Sequence, residues 1–343
     1  MRKIRVLVVE DSLVFRNLLV QGLNQDRALE VVATASDPFE ARDKIIEYRP
    51  DVMTLDIELP RMSGLEFLRK LMPQYPLPVV IISALSEKVF DAMKAGAVDF
   101  VAKPQVTERE QLRNFLCSEL PVKVKVASTA HVSRYKKPVA FAADQHLSVR
   151  SDIDIIAIGA STGGTEAIAE VIRDFSTDIP GTVIVQHMPP GFTEMYANRL
   201  DSQSRVKVKE AKNGDMVAPG QVLIAPGGSE HMSIVKVGDN YKVVLKKGEK
   251  VNGHCPSVDV LFNSVADAAG THAIGIILTG MGGDGAKGLL KMQKNGARTI
   301  GQDEASCIVY GMPKVAYDIG AVEYQVSLEN VASKVYNILN SMP

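Results

Sequence analysis

Arg5-Val6-Leu7-Val8-Val9-Glu10-Asp11 states the plan of the first third of the chain: a Val-rich apolar run, closed by two acids and followed by an amphipathic stretch at 13–23. The unit recurs. Apolar runs at 30–35, 51–55, 78–82 and 98–101 alternate with helical patterns at 37–48, 64–71, 87–95 and 108–116. Strand–helix alternation repeated five times predicts a doubly wound parallel sheet. The runs are rich in Val and Ile and polar on neither face, as a sheet covered on both sides requires.

Residues 121–150 read differently. Lys123, Lys125, Arg134, Lys136, Lys137 and Arg150 face a single acid, Asp144, and Pro121 and Pro138 interrupt any period. This predicts an extended basic linker between a first domain at 1–120 and a second at 151–343. From 153 the α/β signature resumes, with buried-type strands at 153–158, 182–186 and 273–279 and helices from about Thr165 and Ala286. Residues 205–250 read as β-hairpins: Arg205-Val206-Lys207-Val208-Lys209 alternates, and Asn213-Gly214 and Asp239-Asn240 mark turns. Ser257 caps a helix that stops before Gly270. The second domain is thus expected to be doubly wound and mostly parallel, with a β-hairpin insertion.

Composition narrows the function. Among 343 residues, 39 Lys+Arg against 40 Asp+Glu leave a net charge of −1, which argues against a basic nucleic-acid binder. No uncharged apolar run is long enough to span a bilayer, and the start of the sequence lacks the apolar stretch of a signal peptide. Cys117, Cys255 and Cys307 are odd in number and far apart, so neither a disulfide framework nor a metal set is expected, and the predicted compartment is the cytoplasm. His231, His254 and His272 have no metal-triad spacing, and no neighbouring feature activates Cys255 as a thiol.

Two constellations carry chemistry. Glu10-Asp11, Asp56, Ser83 and Lys103 all fall at predicted strand ends, which an open parallel sheet gathers at its ligand-binding edge. Acids at strand ends can simply cap helices or face water, but this many together need a hard cation, and Mg²⁺ suits oxygen ligands. Asp56 can then attack a phosphoryl donor, Lys103 can neutralise the phosphoryl oxygens and Ser83 can bond to one of them. In the second constellation Ser161, on the glycine turn Gly159-Ala160-Ser161-Thr162-Gly163-Gly164, His187 and Asp284 each follow a buried strand. They suit nucleophile, base and orienting acid of an acyl transfer. The same glycines could cradle a pyrophosphate or let strand and helix pack closely, although the spacing is not G-x-G-x-x-G. The order Ser, His, Asp also differs from that of ordinary α/β-hydrolases. Glycine turns at 225–228 and 252–259 could line a cleft or be turns alone.

Residues 1–120 resemble a response-regulator receiver domain through Val8-Val9-Glu10-Asp11-Ser12, Leu55-Asp56-Ile57-Glu58-Leu59-Pro60-Arg61-Met62-Ser63-Gly64, Ile82-Ser83-Ala84 and Lys103-Pro104. The resemblance implies a flavodoxin-like (βα)5 fold. It also implies Asp56 as phosphoacceptor of a histidine kinase and Mg²⁺ on Glu10, Asp11, Asp56 and the Glu58 carbonyl. Ser83 and Lys103 would sense phosphate, with Phe100 as the switch aromatic. From about 152 to 341 the chain resembles the catalytic domain of the CheB chemotaxis methylesterases. The matching stretches are Ile158 to Gly164, Gln186-His187-Met188-Pro189-Pro190-Gly191-Phe192, Ile224 to Gly228, Pro256 to Phe262 and Leu278 to Gly285. That likeness implies hydrolysis of glutamyl methyl esters on methyl-accepting chemoreceptors, deamidation of receptor glutamines and a triad of Ser161, His187 and Asp284. It further implies an oxyanion donor at the Met281 N–H and no cofactor for the esterase step. A receiver joined to a DNA-binding or docking module, or to a nucleotide-binding domain, is the competing reading; no helix-turn-helix pattern supports the former.

Overall fold

Each of the first five apolar runs becomes a strand of one parallel sheet: β1 (Ile4–Val9), β2 (Leu29–Ala35), β3 (Val52–Asp56), β4 (Val79–Ser83) and β5 (Asp99–Ala102), in the order β2-β1-β3-β4-β5. The computed structural model describes residues 2–84, 86–104, 108–132 and 152–341, and the chain divides into two compact units, Met1–Lys136 and Lys137–Pro343. In the first unit α1 (Leu13–Gln25), α2 (Pro38–Tyr48), α3 (Gly64–Leu71) and α4 (Lys88–Lys94) connect the strands. Polar residues set where the first three begin: the side chains of Ser12, Asp37 and Ser63 accept bonds from first-turn N–H groups, and Pro38 sits where a helix needs no N–H. Strands β3 and β4 are buried along their whole length, as a doubly covered sheet demands.

The end of this unit corrects the linker expectation. α5 (Arg109–Asn114) runs through a π-helical turn, Phe115–Glu119, into α6 (Leu120–Ala127). Residues expected to be extended are therefore helical, with Leu120, Pro121, Val124, Val126 and Ala127 buried. Two of the supposed linker cations neutralise acids of the unit, Lys123 at 2.7 Å from Asp99 and Lys125 at 2.6 Å from Asp26. Pro121 occupies the first turn, where its missing N–H costs nothing, so it starts the helix and does not break it. The rest of the expected linker, from 133, lies outside the described residues up to 151.

The second unit is built on seven parallel strands in the order β15-β14-β13-β6-β7-β10-β8. Their spans are β6 (Ile155–Ala160), β7 (Gly181–Gln186), β8 (Lys207–Glu210), β10 (Gln221–Ile224), β13 (Ala273–Ile277), β14 (Arg298–Gln302) and β15 (Tyr324–Val326); the helices are α7 (Gly164–Arg173), α8 (Phe192–Gln203), α9 (Val258–Ala269), α10 (Ala286–Lys294), α11 (Met312–Asp318) and α12 (Val331–Ser341). A separate antiparallel sheet joins β9 (Met216–Val217), β11 (Glu230–Val237) and β12 (Asn240–Lys247). The hairpin insertion is present at β11–β12, but residues 207–210 do not belong to it. They pair in parallel with β10 at the edge of the main sheet. Lys207 is exposed and Val208 buried, so their alternation reported a half-covered edge strand and carried no information about its partner's direction. β11 packs on α9, and Met232, Val243, Phe262 and Leu289 share one buried cluster.

Both sheets reverse their winding next to a central strand. β1 and β3 flank the reversal in the first, β6 and β13 in the second. A crevice opens outside the strand ends at such a point, and both candidate sites lie there.

Candidate active site

Ser161 follows β6 at this crevice, and its backbone is tied on both sides. Its N–H donates to the Thr279 carbonyl at 3.0 Å, and its own carbonyl accepts from Gly164 N at 2.8 Å. The same carbonyl accepts from Gln186 Nε2 at 2.9 Å. Ala160 and Gln186 are partners in the β6–β7 register, so Ser161 and His187 leave adjacent strands side by side. The turn into α7 closes through Gly163 at φ +77°, where a Cβ would lie 2.7 Å from Ile308 Cβ. Only glycine meets both demands.

His187 and Asp284, 97 positions apart in sequence, meet directly: His187 Nε2 lies 2.9 Å from Asp284 Oδ2. Asp284 is 1% exposed and sits at the N-terminus of α9. Its Oδ2 also accepts from Val258 N at 2.7 Å. Its Oδ1 accepts from Ser257 Oγ at 2.8 Å, Asn252 Nδ2 at 2.9 Å and Asp259 N at 3.2 Å. Burial works against a buried carboxylate, yet the hydrogen bonds from His187, Asn252 and Ser257 hold Asp284 well below the usual carboxylate range. An ionised carboxylate is only an acceptor, so His187 Nε2 is the donor in this pair and Nδ1 is the ring nitrogen left for another partner. That Nδ1 is buried and has no hydrogen-bond partner, the Ser161 hydroxyl included. Met281 stands in the loop between β13 and Asp284, 49% exposed. Among the described residues its N–H donates no hydrogen bond.

Asp259, the other acid close by in sequence, is occupied elsewhere: Oδ1 accepts from Gly288 N and Oδ2 from Asn252 Nδ2, both at 2.7 Å. Burial raises the Asp259 pKa in spite of these bonds, and the Asp284 charge adds to the rise. The sequence marks 252–259 as a turn that could line a cleft, with Ser257 capping the next helix, and gives Asn252 and His254 no part in the triad. The structure makes this stretch the principal support of Asp284 and stacks His254 on His187, ring centroids 3.7 Å apart and 6° from parallel. The usable signals were the Asn252-Gly253 pair, a turn dipeptide, and a capping serine, whose helix N-terminus attracts anions. Gln186, named in the sequence only within the stretch 186–192, proves to be the side chain that ties down the Ser161 carbonyl. Cys255 gains nothing as a nucleophile, since burial pushes its thiol up.

At the crevice of the first unit, Glu10, Asp11 and Asp56 bring carboxylate oxygens within 4.8 Å of one another. Lys103 Nζ lies 2.7 Å from Asp56 Oδ2 and 2.9 Å from Glu10 Oε2. Asp56 Oδ1 accepts from Glu58 N at 2.9 Å. Burial pushes Glu10 up to about 7 against the pull of the Lys103 hydrogen bond, with the Asp56 charge adding to the rise. Lys103 is raised because its bonds to Asp56 and Glu10 outweigh its own burial. Three carboxylates converging in an all-oxygen donor set fit a hard divalent cation. Ser83 is buried next in space, its carbonyl accepting from Lys103 N at 2.8 Å. Phe100 is buried and meets Phe90 edge-on at 6.3 Å.

Two parallel α/β units, one gathering acids around a lysine and one setting a serine beside a histidine–aspartate pair, define a response regulator whose output is a hydrolase-like domain. Comparison with known families agrees. Residues 6–116 match the response regulator receiver domain and residues 156–335 match CheB methylesterase. The chain is 59% identical over 342 residues to a protein-glutamate methylesterase/protein-glutamine glutaminase of Syntrophomonas wolfei, covering 100% of this chain and 99% of that protein. It is 51% identical to the protein of the same name from Syntrophotalea carbinolica, over 99% and 98% of the two chains. The crystal structure of the Thermotoga maritima CheB methylesterase catalytic domain shares 37% identity at a TM-score of 0.53, covering 54% of this chain and 98% of that one. The chain belongs to the CheB methylesterase family.

Proposed function

We propose that the chain is a protein-glutamate methylesterase and protein-glutamine glutaminase of bacterial chemotaxis, acting in the cytoplasm on methyl-accepting chemoreceptors, with Ser161, His187 and Asp284 as its triad. The observation that carries this reading is the 2.9 Å His187–Asp284 bond beside the Ser161 turn, with Nδ1 left as a base. Ser161 Oγ attacks the carbonyl carbon of a γ-glutamyl methyl ester while its proton passes to His187 Nδ1. The Ser161–His187 hydrogen bond forms when substrate enters, since such bonds are often unmade without it. The Met281 N–H, which donates no hydrogen bond among the described residues, stabilises the oxyanion. Collapse of the tetrahedral intermediate breaks the bond to methoxide, which leaves as methanol with the proton from His187. Water, deprotonated by His187, then attacks the acyl-serine; the ester bond to Ser161 Oγ breaks, Oγ takes the proton back from His187, and the glutamate carboxylate is freed. A glutamine side chain follows the same steps with ammonia as the leaving group. Asp284 stabilises the imidazolium in each half-reaction.

The first unit is the regulatory half. Asp56 receives a phosphoryl group from a histidine kinase; Glu10, Asp11, Asp56 and the Glu58 carbonyl would hold Mg²⁺, which when bound would supply positive charge for the phosphoryl oxygens. Lys103 supplies the second positive charge. Ser83 and Phe100 convey the acyl phosphate to the rest of the receiver, and the esterase rate rises. The receiver spans 1–120 with α6 appended, and the esterase domain begins near 151. Methanol release from methylated receptor, with and without a small phosphodonor, tests both halves: no release would overturn the esterase assignment, and equal rates would overturn the regulation.

A further inference from the structure

The turn at 251–254 lies outside the triad, is largely exposed and buries little apolar surface. Val251 and His254 exchange two backbone hydrogen bonds of 3.0 Å. Between them Asn252 has φ 53° and Gly253 φ 85°. Two successive positive φ values are the type I′ turn that Asn-Gly favours. This tight turn aims its first and last polar side chains at the two members of the His–Asp pair.

We infer that Asn252 and His254 are positioning residues for acyl transfer, Asn252 fixing the carboxylate of Asp284 and His254 fixing the ring of His187. The inference rests on the triad reading above. Asn252 spends its one amide nitrogen on two carboxylates, 2.9 Å to Asp284 Oδ1 and 2.7 Å to Asp259 Oδ2. An NH₂ group has two hydrogens, so both are used. The two oxygens of Asp284 thereby become unequal: Oδ1 is filled by Asn252, Ser257 and Asp259 N, while Oδ2 keeps Val258 N and His187. Rotation of the carboxylate would break several bonds at once. Asn252 also keeps Asp259 facing itself and Gly288, which leaves Asp284 as the acid bonded to His187.

His254 acts on the other partner. A ring stacked at 3.7 Å and 6° covers one face of His187 and blocks rotation about its outer torsion, so Nδ1 keeps its direction. A flat π face is also a favourable neighbour for a ring that turns cationic during the reaction. Misplacing a base by about 1 Å reduces rate by on the order of 100-fold, without any need to weaken substrate binding.

The test uses the full-length chain with Mg²⁺ and phosphodonor, measuring methanol release from methylated receptor for Asn252→Gly, His254→Ala and His254→Phe. Glycine preserves the left-handed turn while removing the amide, and phenylalanine preserves the stack while removing the nitrogens; thermal midpoints identify any variant that fails to fold. Expected are kcat losses of about 10- to 100-fold for Asn252→Gly and His254→Ala with KM unchanged. His254→Phe should recover most of the His254→Ala loss. Wild-type kcat in Asn252→Gly or His254→Ala, a loss confined to KM, or a His254→Phe rate no better than alanine overturns the inference. Labelling by a serine-directed phosphonate separates the two levels. If Ser161→Ala still labels, the triad reading has failed; if it does not and the turn variants behave as wild type, only the positioning role has failed.

Discussion

The two crevices share a topology and reverse its electrostatics. At the receiver edge, three carboxylates crowd within 4.8 Å, and burial pushes Glu10 up to about 7. At the esterase edge one carboxylate, Asp284, collects five donors and is held well below the usual carboxylate range. A cluster of three carboxylates sharing the Lys103 ammonium and the Ser12 and Glu58 N–H groups suits a cation and a phosphoryl group. A carboxylate saturated with donors stays ionised and rigid, which suits the part proposed for it beside a histidine acting as base. Parallel sheets bring residues to one edge, and the local supply of N–H and O–H groups decides what those residues can do.

The sharpest break between the two edges is Ser161→Ala. Methanol release should fall by on the order of 10⁶-fold, while acyl phosphate formation on Asp56 stays unchanged. Residual release near the wild-type rate would remove the nucleophile assignment. Asp284→Asn comes next, with an expected loss of about 10³- to 10⁴-fold. The Asn252 and Ser257 donors remain but face an amide that no longer fixes the His187 tautomer. Turnover kinetics check this, and an unchanged rate would mean that another group orients the ring.

A third outcome joins the comparison to regulation. Asp56→Asn should abolish the rate increase caused by phosphodonor plus Mg²⁺ without touching the basal esterase rate. A fragment beginning near 150 should be as fast as the phosphorylated full-length chain, and a fragment no faster than the unphosphorylated chain would show that the receiver activates the esterase and does not restrain it.

The smallest effect is on stability. The folded-state pKa of Asp284 is depressed below its unfolded value of about 3.9, so the domain binds fewer protons at this site when folded. Its contribution is therefore present above about pH 4 and is lost as pH falls below that value. Urea midpoints of the esterase domain should drop over that window, and Asp284→Asn should flatten the drop. An equally steep fall in the variant would assign acid sensitivity to other carboxylates.

Much of this was legible in the residues themselves. Strand and helix periods located all five strands of the first sheet and three of the seven in the second, β6, β7 and β13, because burial on two faces leaves a strong compositional mark; β10, β14 and β15 were not read. Glu10, Asp56, Lys103, Ser161, His187 and Asp284 could be picked out because each ends a predicted strand or lies in the loop just after one. Two stretches misled for physical reasons. The helix at Leu120–Ala127 was masked by a proline and by lysines whose acidic partners lie about 24 and 99 residues away. The strand at Lys207–Glu210 alternates like any half-exposed strand, and alternation does not encode whether the neighbour runs parallel.

Local pattern thus determined the two α/β units, the order of receiver before esterase and the polar residues delivered to each sheet edge. Only the tertiary structure decided how Asp284, the acid that the sequence singled out, is held against His187 while Asp259 is turned away, since that turns on α9 and the Asn252 amide. It also decided that His254 covers the ring. Those choices depend on hydrogen-bond directions between segments tens of residues apart, and a linear pattern records residue types and spacings, never the angle at which two distant groups meet.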